Sequence, residues 1–291
     1  MIKSWLQAAR LPSQSYIALP LVLGQVLAFQ VTGEWDWQIF VLVQLFGVFD
    51  QLYIVFANDY ADQETDKTNT TSTIFSGGSR VLVSGAISAN QLLRAALLMV
   101  LLAVCTLTAL SALSNTLILP IGLFGMALLW AYSFGPIRLS YRGGGEFLQM
   151  LGVGLILPLI GFLSQGALLG DFPWPLLATL LPFNLATAIA TSLPDEPSDR
   201  SSDKRTLTVA FGGKVGRALI IIFYILGGIA YLLNDGPWPH LVLTLLSCVA
   251  MLLVFRAAQP GSRAILVFVF FAILANLGFL LSLILHLTAY A

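Results

Sequence analysis

The chain has 291 residues, 58% of them hydrophobic and 10% charged, with a mean hydropathy of +0.88. Soluble domains carry roughly 25% charged residues, so an ordinary soluble enzyme is excluded. The 14 basic and 14 acidic residues cancel, which leaves no bulk field for nucleic acid. The apolar residues fall in long blocks, and the expected fold class is all-α, a polytopic membrane protein occupying residues 1–291 as a single domain.

A helix needs roughly 20 apolar residues to cross the hydrocarbon core. The short, weakly basic segment from Met1 to Leu11 leads into the first apolar block without a small-residue cleavage site, so that block reads as a retained helix. Nine transmembrane helices are expected, at about 14–32, 37–57, 91–113, 115–134, 146–166, 174–193, 215–234, 238–257 and 264–287. With nine spans, every Lys and Arg falls on the side of the N-terminus. The opposite connections hold only Glu34, Asp36, Asp171 and Asp235. The positive-inside rule then predicts a cytoplasmic N-terminus and a C-terminus outside, in a plasma (inner) membrane.

Cys105 and Cys248 sit in separate apolar stretches and read as small buried side chains. His240 and His286 have no metal-ligand neighbour in the sequence, so neither a zinc site nor a Ser-His-Asp arrangement is expected. Trp130, Tyr132 and Phe134 read as an interfacial aromatic belt, with a substrate clamp as the other reading.

Chemistry concentrates in two cytoplasmic segments. The first reads Asn58-Asp59-Tyr60-Ala61-Asp62-Gln63-Glu64-Thr65-Asp66 and the second runs from Asp195 through Asp199 to Asp203. Asp62 and Asp199 are 137 residues apart, as are Asp66 and Asp203. That constant offset suggests an internal pseudo-repeat, about 14–134 and 146–257. On a helix, Asp59, Asp62 and Asp66 fall within an arc of roughly 60°. Such like charges repel unless a cation sits among them, and hard divalent cations take oxygen ligands. Pro194 and Pro197 predict a broken helix at the start of the second cluster. Lys67, Lys204 and Arg205 follow the clusters directly. Arg80 closes a Ser76-Gly77-Gly78-Ser79 loop whose backbone N–H groups could face an anion, and Arg138 and Arg142 follow the fourth span. Their convergence suits a diphosphate held by metal and guanidinium. Asp50, inside the second span, either assists an acceptor's proton chemistry or is hydrogen-bonded within the bundle.

These residues resemble the UbiA superfamily of intramembrane prenyltransferases. The first family motif, Asn-Asp-x-x-Asp-x-x-x-Asp, is met by Asn58, Asp59, Asp62 and Asp66, and the second, Asp-x-x-x-Asp, by Asp195 and Asp199. Three segments are most similar to 1,4-dihydroxy-2-naphthoate polyprenyltransferases: Gly77-Gly78-Ser79-Arg80-Val81-Leu82, Tyr141-Arg142-Gly143-Gly144-Gly145-Glu146 and Lys204-Arg205-Thr206-Leu207. Leu193-Pro194 and Asp203 depart from that subfamily, which has Asn-rich sequence and Gly there. The Tyr-x-x-x-Lys of some aromatic prenyltransferases becomes Tyr132 and Pro136, with Arg138 as the substitute.

The resemblance implies transfer of a polyprenyl group from an allylic diphosphate to an aromatic acceptor, within the lipid bilayer and with no nucleic acid partner. It implies two Mg2+ ions held by Asn58, Asp59, Asp62, Asp66, Asp195 and Asp199. Asp62, Asp199 and Arg142 are the expected catalytic residues. Lys67, Arg80, Arg138, Arg142, Lys204 and Arg205 are the expected diphosphate contacts, with Asp50, Tyr132 and Tyr141 on the acceptor side. The alternatives are another acceptor, such as 4-hydroxybenzoate, homogentisate or another lipid precursor, a CDP-alcohol phosphotransferase, or a cation transporter. The phosphotransferase would gather its acids in one motif, and the transporter would place them at mid-membrane.

Overall fold

A computed structural model describes residues 1–289; the C-terminal Ala291, expected outside the membrane, lies beyond the described residues. These form helices without a named strand. In chain order the helices are α1 (Ile2–Ala8), α2 (Ser15–Thr32), α3 (Trp37–Ala61), α4 (Gln63–Thr68) and α5 (Ala89–Leu113). Next come α6 (Ile118–Ser133), α7 (Leu139–Arg142), α8 (Gly145–Leu151), α9 (Leu157–Ser164) and α10 (Leu177–Ser192). The last are α11 (Glu196–Ser201), α12 (Leu207–Phe211), α13 (Gly213–Leu233), α14 (Val242–Val254) and α15 (Arg263–Ala289).

Local chemistry sets several boundaries. Asp36 caps α3 by accepting from the N–H groups of Gln38 and Ile39, at 2.7 and 3.1 Å. Ser88 and Gln91 form a capping box at α5. Gly33 ends α2 with φ +69°, a left-handed conformation that suits glycine. Seven helical stretches are long and apolar enough to cross a membrane, and two shorter apolar helices, Ile118–Ser133 and Trp238–Val254, coincide with the fourth and eighth predicted spans. The fifth is composite: α8 and α9 are joined through a π-helical turn at Gly152–Ile156.

Two apolar cores hold the bundle. One gathers residues from Ala8 to Phe172, the other residues from Leu180 to Ile284 together with Leu23 and Val26 of α2. Helix α2 therefore belongs to both, packing on α9 and on α15. Its crossing with α9 is very close: a Cβ at Gly24 would run into the Pro158 carbonyl, and one at Gly161 into that of Leu21. Small residues at such a crossing let backbones approach, which in lipid replaces the missing hydrophobic drive. A polar seam of Asn184, Thr187, Tyr224 and Asn276 ties α10, α13 and α15 (Asn276 Nδ2 to Asn184 Oδ1, 3.0 Å).

His240 and His286, separate in the sequence, are spatial neighbours, with ring centroids 4.6 Å apart. Two sequence expectations are corrected here. Cys105 is exposed rather than buried, on an α5 face turned away from the cores, while Cys248 is buried. Tyr132 leaves the aromatic belt and lines an internal chamber.

Candidate active site

The site grows from the motif-bearing C-terminal end of α3. The helix stops at Ala61, Asp62 sits at the junction, and α4 resumes at Gln63. The junction is tight, because the Asp62 N–H still reaches the Asn58 carbonyl and the Asp66 N–H that of Asp62, both at 2.9 Å. Across from it, the chain after α10 tightens into a 3-10 turn at Leu193–Asp195 and restarts as α11, the break that Pro194 and Pro197 predict.

The carboxylates are held by different partners. Asp59 pairs with the Arg10 guanidinium and accepts from the Ser79 hydroxyl and from the Ser79 N–H, at 3.1 and 3.3 Å to its two oxygens. Asp62 accepts from Tyr141 Oη at 3.1 Å and from Lys204 Nζ at 2.8 Å. The same ammonium lies 3.7 Å from Asp199, so Lys204 bridges the two motifs. Asp195 accepts from Asn69 Nδ2 at 2.8 Å and Ser76 Oγ at 3.1 Å. Burial, and then the Asp59 and Asp62 charges, push the Asp66 carboxyl up to about 7. Burial opposes the Lys204 ammonium, but Asp62 and Asp199 outweigh it and hold its pKa above the usual lysine range.

The glycine loop behaves differently from the expectation that it faces an external anion. Its donors are taken up by the protein's own carboxylates, Asp59 and Asp195. Gly78 has φ +71°, and a Cβ there would run into the Asp66 carboxylate. Only glycine satisfies both limits. Arg10, Arg80 and Arg138 all hold left-handed backbones, with φ of 43°, 66° and 44°. Non-glycine residues in that region cost of order 1–3 kcal/mol and cluster at functional sites.

Not every predicted cation joins this assembly. Lys67 is exposed and pairs with Glu64 at 2.7 Å. Arg142 and Arg205 are exposed and do not line the chamber. Arg80 is turned onto the carbonyls of Asp66 and Asn69. Arg138 stacks on Tyr141, 3.5 Å from the ring centroid. Tyr141 itself bonds Asp62 and Thr65, so it supports the carboxylate side rather than the acceptor side. Asp203 is exposed. Sequence reasoning missed Arg10, counted only as an orientation charge. It also missed Asn69, and it named Ser76, Ser79 and Glu146 only as members of quoted segments; the Glu146 carboxylate caps α12 through the Leu207 N–H at 2.7 Å. Nothing local marks Arg10 as a partner of Asp59, which is 49 residues away.

Below the polar end lies a chamber of about 1230 Å3. Arg10, Ser76, Ser79 and Arg80 line its polar end together with Asn58; Phe46, Met126, Ile156, Ile160 and Phe270 line its apolar body. The Asp59 and Asp195 carboxylates stand directly behind Ser79 and Ser76. Among the described residues no three Asp, Glu, His or Cys side chains form a ready metal cage. The donor set nevertheless fits a hard divalent cation: all-oxygen, anionic, crowded enough to raise the Asp66 carboxyl, and drawn around an ammonium. Mg2+ usually takes only one or two carboxylates and completes its shell with substrate phosphate.

A membrane-embedded chamber, apolar in its body and capped by paired carboxylates and cations, defines an intramembrane enzyme acting on amphipathic molecules. The sequence profile of the UbiA prenyltransferase family matches residues 17–274, and the chain belongs to that family; it is a prenyltransferase. Among characterised relatives, it is 25% identical to a 2-carboxy-1,4-naphthoquinone phytyltransferase of Synechocystis sp., over 83% of this chain and 78% of that one. It is 28% identical to the digeranylgeranylglyceryl phosphate synthase of Methanopyrus kandleri, over 70% and 71%. Among solved structures, a UbiA homologue from Archaeoglobus fulgidus bound to GPP and Mg2+ superposes with a TM-score of 0.69 at 17% identity, covering 97% of this chain and 99% of that one. A UbiA homologue from Aeropyrum pernix gives 0.64 at 16% identity, over 91% and 96%.

Proposed function

We propose that this prenyltransferase moves a polyprenyl group from an allylic diphosphate to an aromatic acceptor of the 1,4-dihydroxy-2-naphthoate type, on the cytoplasmic face of the membrane. The observation that carries this reading is the pair of carboxylate motifs bridged by Lys204 between Asp62 and Asp199, with Asp59 and Asp195 standing behind Ser79 and Ser76 at the polar end of a chamber whose body is apolar. The phytyltransferase relative, which acts on a carboxynaphthoquinone by name, supports the acceptor class.

Asn58, Asp59, Asp62, Asp66, Asp195 and Asp199 would hold Mg2+, two ions in this reading; the A. fulgidus UbiA homologue is solved bound to GPP and Mg2+. Bound there, the metal would neutralise charge on the leaving diphosphate. The chain supplies the rest. Lys204 and Arg10 add positive charge where the leaving group gains negative charge, which favours the transition state over the ground state. Asn69 and Ser76 hold Asp195 in place. The apolar body excludes water, which would capture the allylic carbon in place of the acceptor ring.

The test is an assay of the purified protein in lipid with a polyprenyl diphosphate and three competing acceptors: 1,4-dihydroxy-2-naphthoate, 4-hydroxybenzoate and a glyceryl phosphate lipid. The third arm is included because of the M. kandleri relative. Product masses carrying the naphthalene ring support the reading. Prenylated benzoate or glyceryl phosphate, with no naphthalene product, overturns the acceptor and leaves the family unchanged.

A further inference from the structure

Asp50 is a carboxylate within α3 that the motifs do not use. It is 7% exposed and lines the chamber. No hydrogen bond or ion pair from a described residue reaches it, and its electrostatic neighbour Tyr53 is no cation. Its sequence neighbour Gln51, by contrast, is tied down by donating to Ser13 Oγ. Asp50 therefore lines the chamber without a hydrogen-bond or ion-pair partner among the described residues. A buried carboxyl with no partner in the protein costs stability, and a carboxylate on an otherwise apolar wall does nothing for a hydrocarbon tail.

The position has a definite relation to the site. Asp50, Ile54 and Asn58 lie at i, i+4 and i+8 on the lining face of α3, which puts Asp50 about 12 Å below Asn58 along the helix. The chamber's arginines, Arg10, Arg80 and Arg263, belong to segments at the other, polar end. An acceptor with an acidic group at one end and a hydroxyl at the other is thus sorted by charge. Its anionic end is drawn to the arginines and repelled by Asp50, and its hydroxyl is left to face the Asp50 carboxylate.

We propose that Asp50 is the acceptor-side base: the hydroxyl of the aromatic acceptor donates to its carboxylate and transfers its proton there as the ring attacks. This rests on the reading of the acceptor as a hydroxyaromatic acid. In the step, the ring carbon bonds to C1 of the prenyl chain, the C1–O bond breaks, and its electron pair leaves with the diphosphate. The hydroxyl proton passes to Asp50, and the ring becomes a ketone. The attacked carbon is the CH beside that hydroxyl; loss of its proton restores aromaticity, and Asp50 returns the proton to the oxygen. The base is regenerated and the charges balance.

The experiment compares wild-type protein, Asp50→Asn and Asp50→Leu in lipid nanodiscs, using 1,4-dihydroxy-2-naphthoate as the acceptor. Three quantities are read: kcat/KM for the acceptor, affinity for geranyl diphosphate with Mg2+, and the thermal unfolding midpoint. We expect both variants to lose at least about a hundredfold in kcat/KM, the range of general base catalysis. Diphosphate affinity should stay within about twofold, and the midpoint should hold or rise because an unpaired buried charge is gone. Undiminished kcat/KM in Asp50→Asn overturns the proposal. So does a lowered midpoint with weakened diphosphate binding, which marks a structural residue. If the wild-type protein prenylates no hydroxyaromatic acid, the functional reading fails first and the proposal with it. A wild-type product with a fully active Asp50→Asn sinks the proposal alone.

Discussion

The two carboxylate clusters differ in how their charge is answered. At the end of α3, Asp59 and Asp62 each meet a full cation, Arg10 and Lys204. At the end of α10, Asp195 meets only the neutral donors Asn69 and Ser76, and Asp199 shares Lys204 at the longer distance of 3.7 Å. Asp59 and Asp62 thus each have a cation partner, although Asp66 has none, whereas in the second motif Asp195 has neutral donors alone. Removing a cation partner from a buried carboxylate is strongly destabilising, whereas neutral donors contribute less. In the proposed reading the first cluster is preorganised more by the protein's own cations, and the second depends more on the metal.

The largest effect expected is from metal removal. EDTA should abolish prenyl transfer and Mg2+ should restore it, measured by radiolabelled product; activity that survives chelation would show that Lys204 and the arginines suffice. Next, Asp62→Asn and Asp199→Asn should each cost at least about a hundredfold in turnover, the scale of one preorganised electrostatic contributor. The comparison sharpens in the Mg2+ titration of each. Asp199→Asn should need more Mg2+ for half-activity, because it thins the motif whose carboxylates are less closely met by protein cations. Equal titration curves would erase the distinction between the clusters.

Asn69→Ala removes one neutral donor from Asp195 and should cost about tenfold in kcat, the scale of a single hydrogen bond to a charged group. The smallest effect is expected from Arg142→Lys. Arg142 is exposed and outside the chamber lining, so kcat and KM should both stay within about twofold. A large loss in that variant would mean that the loop after α6 closes over the site during turnover.

The membrane class and the helix positions were legible because hydrocarbon length imposes a coarse rule, one that 20 apolar residues satisfy whatever their neighbours. The motif acids were legible because like charges at helical spacing need an explanation. What the sequence hid was pairing over distance. Arg10 reaches Asp59, and Lys204 reaches Asp62 across 142 residues, through the fold and not through any local pattern. Basic residues near the motifs, such as Lys67 and Arg142, looked equally suitable, yet loop geometry turns them outward. Proximity in sequence was a poor guide to direction in space. Reporter fusions test the orientation of the termini.

The chamber also has a practical consequence for handling the protein. A polar end lined by Arg10, Arg80 and Arg263 and joined to an apolar body is the negative imprint of a surfactant, and an anionic detergent monomer has the same outline as an allylic diphosphate. Such detergents should act as competitive inhibitors, raising the apparent KM for the prenyl donor in proportion to free monomer. Nonionic maltosides and lipid nanodiscs should leave it unchanged, so the choice of solubilising agent sets the apparent substrate affinity.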